Sequence, residues 1–119
     1  MSTPLVVSQF HPLQQSAWGK DCKAWSFVDN KELNIKFESM PPGTEEVLHY
    51  HKAAQQFFYI TKGKAAFEVD EVILIVHEGQ GLHIEAGRKH RIMNKEEHTE
   101  LEFLVCSQPS TQDDRYALV

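Results

Sequence analysis

The sequence is short of cysteine, of long apolar runs, of basic clusters and of any helical period, and each shortage removes a class of protein. Its two cysteines, Cys22 and Cys106, are too few and too far apart for the disulfide framework of a small secreted domain. Each falls in an apolar, strand-like segment, so both are expected as buried, reduced thiols. The longest apolar stretch, Val72 to Val76, is a fraction of the roughly 20 residues that a membrane helix needs. The amino terminus, Met1 to Phe10, lacks the basic start and the continuous apolar segment of an export signal. No basic run exceeds Arg88-Lys89 and the formal net charge is −5, which leaves no electrostatic footprint for a phosphate backbone. The expectation is a cytoplasmic protein with neither a nucleic acid nor a membrane as partner.

What is present is ordinary globular material. With 119 residues, 41% of them apolar and 24% charged, the chain is long enough to bury a core as one domain without staples. Residues 1–15, with two prolines and no clear period, read as an amino-terminal arm or short edge strand, and 16–119 as the domain. Cys22 to Val28 alternates with both faces covered, Asp29-Asn30-Lys31 is turn chemistry, and Leu33, Ile35 and Phe37 then alternate with Asn34, Lys36 and Glu38 as in a half-buried strand. Pro41-Pro42-Gly43 ends that strand. Further strands are expected at Ala65 to Val69, Val72 to Val76, Leu82 to Ile84, His90 to Met93 and Leu101 to Cys106, punctuated by Gly, Pro and Asx signals. Short strands at regular spacing predict an all-β sandwich or barrel.

Chemistry concentrates in two glycine-flanked stretches. In Gly43 to Gly63, His49 and His51 are separated by one residue, and on an extended chain both side chains project to the same face. Gln56 opens the aromatic and β-branched run Phe57, Phe58, Tyr59, Ile60, which reads as a returning strand. A register one residue different would present Gln55 in its place. In Gly79 to Asn94, His90 follows the Ala86-Gly87 turn. A His-x-His pair alone is usually two polar residues on a solvated face; the third histidine at this spacing moves the expectation to a metal site. His83 is expected as a satisfied barrel histidine, and His11, His77 and His98 as surface residues. Glu38, Glu102, Tyr50 and Tyr59 are the available acids and bases, with Glu38 and Glu102 expected on solvated strand faces.

This ensemble resembles the cupins, small double-stranded β-helix (jelly-roll) proteins. Gly43, His49, His51 and Gly63 fall on their first motif, with Gln56 where that motif carries glutamate; Gly79, Gly87, His90 and Asn94 fall on the second, with Glu85 where it carries proline. The resemblance implies a divalent transition metal (Zn, Fe, Ni or Mn) held by His49, His51, Gln56 and His90 inside a barrel. Glutamine in place of glutamate leaves the ion its full double charge, which makes the site a better home for an anionic ligand. By parity with Gln56, the residues Phe58 and Ile60, with Ile92 and Met40, are expected to wall a mostly apolar substrate cavity, while Phe57 and Tyr59 face away.

Two functions of different class follow from the resemblance. One is a small metal-dependent enzyme, of dioxygenase or isomerase/epimerase type, acting on an oxygen-bearing small molecule. The other is a non-catalytic module that captures a small acid or sugar through the same metal. Open sheet edges and an extended arm make a homodimer the expected assembly.

Overall fold

A computed structural model describes residues 3–118; Met1 and Ser2 of the arm, and Val119, lie outside the described residues. Among the described residues every regular element is a strand: β1 (Gln14–Trp18), β2 (Cys22–Asp29), β3 (Asn34–Met40), β4 (His49–Tyr50), β5 (Gln55–Lys62), β6 (Lys64–Val69), β7 (Val72–His77), β8 (Gly81–Ile84), β9 (His90–Met93), β10 (Leu101–Gln108) and β11 (Tyr116–Ala117). They form two antiparallel sheets, in the orders β1-β2-β3-β10-β5-β8 and β11-β4-β9-β6-β7, and close a double-stranded β-helix. None of the described residues forms a helix long and apolar enough to cross a membrane. Strand β1 lies at the edge of its sheet and begins at Gln14, within the stretch read as an arm or short edge strand.

Turn chemistry sets the hairpins. Asn30 accepts from the backbone N–H groups of Glu32 (2.9 Å) and Leu33 (3.0 Å), an Asx turn that delivers β2 into β3. Asp70 and Glu71 both take positive φ (47° and 72°), so β6 and β7 are joined by a two-residue turn of the kind whose twist matches the strands. Gly63 sits at φ 85°, and a Cβ there would lie 2.6 Å from the Glu100 carbonyl oxygen, so no side chain fits.

The interior has a polarity gradient along the strands. On β10 the inward residues run Leu101, Phe103, Val105 and then Ser107; on β5 they run Ile60, Phe58 and then Gln56; on β3 they run Met40 and then Glu38, Lys36 and Asn34. The apolar half is a closed core in which Phe58 packs on Phe67 (ring centroids 5.1 Å apart) and Phe103 (5.7 Å). Met40, Ile60, Ile92 and Leu101 share that core, each no more than 1% exposed. The polar half opens to solvent beside the histidines.

On β3 the structure inverts the expected faces. Asn34, Lys36 and Glu38 point into the barrel, whereas Phe37 lies on the outer face against Trp25 (5.8 Å) and stacked with Phe27 (6.4 Å). The cause is the pairing of Phe37 with Trp25 across β2 and β3, which builds a second apolar cluster outside the barrel. Alternation correctly marked two faces; it did not say which was inside.

Asn94 ties the two glycine-flanked stretches together. Fully buried, it donates through its amide to the carbonyls of Met40 and Thr99 (2.9 Å each), and its Oδ1 accepts from the Glu96 N–H (3.1 Å). Its backbone carbonyl accepts from Gly43 (2.9 Å) and its N–H donates to Thr44 (2.8 Å). Replacing Asn94 by alanine strands two carbonyls and should destabilise the fold by about 2–4 kcal/mol. Urea denaturation checks this; an unchanged midpoint would show that the clamp is dispensable.

Candidate metal centre and the cavity beside it

His49 lies on the short strand β4 directly opposite His90 on β9, and His51 follows two residues on, pointing the same way. A β-ladder therefore supplies the convergence that spacing alone could only imply. The three ring centroids lie 4.5, 5.0 and 5.3 Å apart, one candidate ligand atom from each ring falls within 4.8 Å of the others, and all three side chains are buried. The Gly87 N–H donates to the His51 carbonyl (2.7 Å), so the glycine turn of the second stretch also holds the backbone of the first.

Backbone carbonyls set the tautomers. A carbonyl can only accept, so His49 donates through Nδ1 to Val47 (2.7 Å) and His90 through Nδ1 to Arg88 (2.9 Å). Each ring then offers a bare Nε2. Gln56 donates through Nε2 to Ser107 Oγ (3.0 Å), which turns its Oε1 toward His90 Nε2 at 3.1 Å. Two acceptors facing each other at that distance repel unless a positive charge sits between or beside them. Gln55 points to the outer face, where its Oε1 meets Nε2 of His83 at 2.9 Å. His83 is thus an exposed outer-face residue and not a barrel histidine.

Electrostatics keep the imidazoles neutral. Burial pulls His49 down to about 3, helped by the Arg115 charge, and burial with neighbouring His90 pulls His51 to about 4. His90 is lowered too, again by burial first and by Arg115. Neutral imidazole is the form that ligates metals.

The carboxy-terminal segment braces the site. Strand β11 pairs with β4, placing Ala117 opposite His49. Just before it, Asp114 accepts from the N–H groups of Lys52 (2.8 Å), Ala53 and Ala54 (3.0 Å each), fixing the loop that spaces His51 from Gln56. Against the desolvation that opposes it, this trio of donors holds the Asp114 carboxyl below its usual range. Arg115 reaches inward, 3.7 Å from Glu46 and 3.5 Å from His49 Nδ1.

Beside the histidines is a cavity of about 180 Å³, bordered by His49, His51 and Gln56 on one side and by Lys36, Glu38 and Glu46 on the other. Its wall is polar, contrary to expectation. Phe58, Ile60, Ile92 and Met40 do point inward, but lie farther along their strands in the closed core, and none borders this cavity. Glu38, expected on a solvated face, borders the cavity; burial pushes its carboxyl up to about 7 against the pull of Lys36. Glu46 is pushed up to about 8, also by burial and against the pull of Arg115. Tyr50 stacks on Tyr116, and Tyr59 and Glu102 sit on outer faces, so none of the three borders the cavity. Lys36, Glu46, Asp114 and Arg115 escaped the sequence reading. For Lys36 a signal existed: it shares parity with Asn34, Glu38 and Met40 on one strand. For Arg115 and Asp114 there was none, because a segment that returns from the chain's end carries no local period.

The sequence profile of the cupin domain family matches residues 36–107. No curated protein sequence matches significantly. Among solved structures, the chain is similar to an RmlC-like cupin from Shewanella frigidimarina (19% identity, TM-score 0.80, covering 93% of this chain and 96% of that one). It is also similar to KdgF from a Halomonas species (12%, 0.79, 94% and 98%). A third is a predicted oxalate decarboxylase from Thermotoga maritima (22%, 0.77, 89% and 100%). At these identities the likeness establishes the fold.

Opposed titrations give a pH test. His49 and His51, depressed from about 6.5, contribute stability that is present above pH 6.5 and lost as pH falls toward 4 and 3. Glu38, raised from 4.5 to about 7, retains its proton longer in the folded state, so its contribution falls as pH rises between those values. Glu38→Gln should therefore match wild type near pH 4.5 and gain about 1–3 kcal/mol over it by pH 7.5. Urea midpoints across that range check the difference; a gain independent of pH would contradict the assignment.

Proposed function

The chain belongs to the cupin family, and from that membership and the polar cavity beside its histidines we propose that it is a metal-dependent enzyme acting on a small oxygen-bearing molecule. The observation that carries this is the convergence of neutral imidazole nitrogens, with the Gln56 Oε1 set against His90 Nε2 as a second acceptor. Such a donor set fits a divalent ion of the Zn, Fe, Ni or Mn type, held by His49, His51, His90 and Gln56. When bound, the ion supplies Lewis acidity toward a substrate oxygen or, if it is iron, a means of using dioxygen.

The chain's own residues do the rest. Val47 and Arg88 orient two imidazoles through Nδ1, Ser107 orients Gln56, and Arg115 with Glu46 closes the rim. Glu38 faces the same cavity with a carboxyl poised near neutrality, as a group that takes and returns a proton should be. That favours the isomerase, epimerase or lyase type over the dioxygenase type, since proton transfer needs such a group.

Tag-free protein prepared without chelators should contain near-stoichiometric metal by elemental analysis, and the His49→Ala, His51→Ala double variant should contain none. Adding the ion at about 100 times its dissociation constant should stabilise stripped wild type by about 2.7 kcal/mol and leave the variant unmoved. Wild type as empty as the variant after every candidate ion is offered would sink the proposal.

A further inference from the structure

One cation in the cavity has no counter-ion, and one indole N–H there falls short of a full hydrogen bond. Lys36 points inward from β3, half-buried, at the level of Val105, and no carboxylate of the described residues reaches ion-pair distance of its ammonium. The other cation there, Arg115, is matched by Glu46. Trp18, at the end of β1, borders the same cavity; its indole N–H faces the Glu38 carboxyl without closing a hydrogen bond. Among the described residues that Nε1 is the single buried side-chain nitrogen or oxygen left unpaired. The buried indole N–H short of a full hydrogen bond disfavours the free protein, and the ammonium has no counter-ion among the described residues; one acceptor carrying one negative charge serves both.

We propose that the cavity binds a small monocarboxylate, whose carboxylate pairs with Lys36 and the Trp18 indole N–H while the remainder of the molecule faces the histidines. This names the substrate class of the enzyme proposed above; it rests on that proposal for the chemistry but not for the binding. In the metal-free protein the charge count favours a carboxylate over phosphate, because one free cation beside the two acids Glu38 and Glu46 suits a monoanion better than a dianion. Size agrees, since about 180 Å³ lies below the roughly 300–1,000 Å³ of pockets for drug-sized ligands. Glu38, flanked by Lys36, Arg115 and Glu46, is placed where a neutral carboxyl can donate to the same ligand and an ionised one would repel it.

The test is calorimetric titration of two- to four-carbon monocarboxylates, lactate among them, with methyl lactate and inorganic phosphate as controls. It is run on metal-stripped and metal-loaded protein. Lactate or a close analogue should bind both forms, with the ester at least tenfold weaker to both and phosphate at least tenfold weaker to the stripped protein. Lys36→Met should lose tenfold or more in carboxylate affinity while its melting temperature holds or rises, and Trp18→Phe should lose several-fold. If Lys36 served only to balance Glu38, Lys36→Met would melt lower and bind unchanged, which would overturn the proposal. So would equal binding of ester and acid, tighter binding of phosphate to the stripped protein, or no carboxylate binding at millimolar concentration. Protein that takes up no metal yet binds lactate through Lys36 removes only the enzyme proposal; metal-loaded protein that ignores every carboxylate removes only this one.

Discussion

Three imidazoles can share one buried volume only while none of them is protonated. In this barrel the condition is met by burial: His49 and His51 are pulled to about 3 and 4, and two of the three rings spend their Nδ1 protons on backbone carbonyls. One ligand atom from each ring then lies within 4.8 Å of the others. Much of the fold can be understood as holding that costly arrangement. The ladder that sets His49 opposite His90, the Gly87 bond to His51, the Asp114 cap on the intervening loop and the Asn94 clamp all remove freedom from the same few residues.

The gradient inside the barrel divides the labour. Phe58, Phe67, Phe103 and their neighbours fill the closed half and supply the hydrophobic burial that stabilises a domain of this size. The open half then carries the Lys36 ammonium, the Glu38 carboxyl and the Gln56 amide on strands whose far ends are locked in the core, with the Glu46 carboxyl added from the segment between β3 and β4. Sites built on strands keep their geometry better than sites on loops, which suits a centre that must hold several donors at once.

The fold was legible in the sequence because it rests on local signals: alternation, Gly and Asx turns, and the spacing of His49, His51 and His90. Gln56 was legible as an inward residue on the same grounds. What failed was the assignment of faces. On β3 Phe37 belongs to an outer cluster with Trp25 and Phe27, so the polar set that looked solvated lines the cavity. Parity placed Phe58 and Ile60 inward correctly but could not say how far along the barrel they lie. Arg115 and Asp114 reach the site through a tertiary return of the chain, which no periodicity encodes.

The most direct measurement is anomalous diffraction from crystals grown with each candidate ion, collected at that ion's absorption edge. The account predicts one strong peak bounded by Nε2 of His49 and His90, a ring nitrogen of His51 and Oε1 of Gln56, each about 2.0–2.2 Å away. A peak elsewhere, or none together with a Gln56 amide turned to donate to His90, would contradict it.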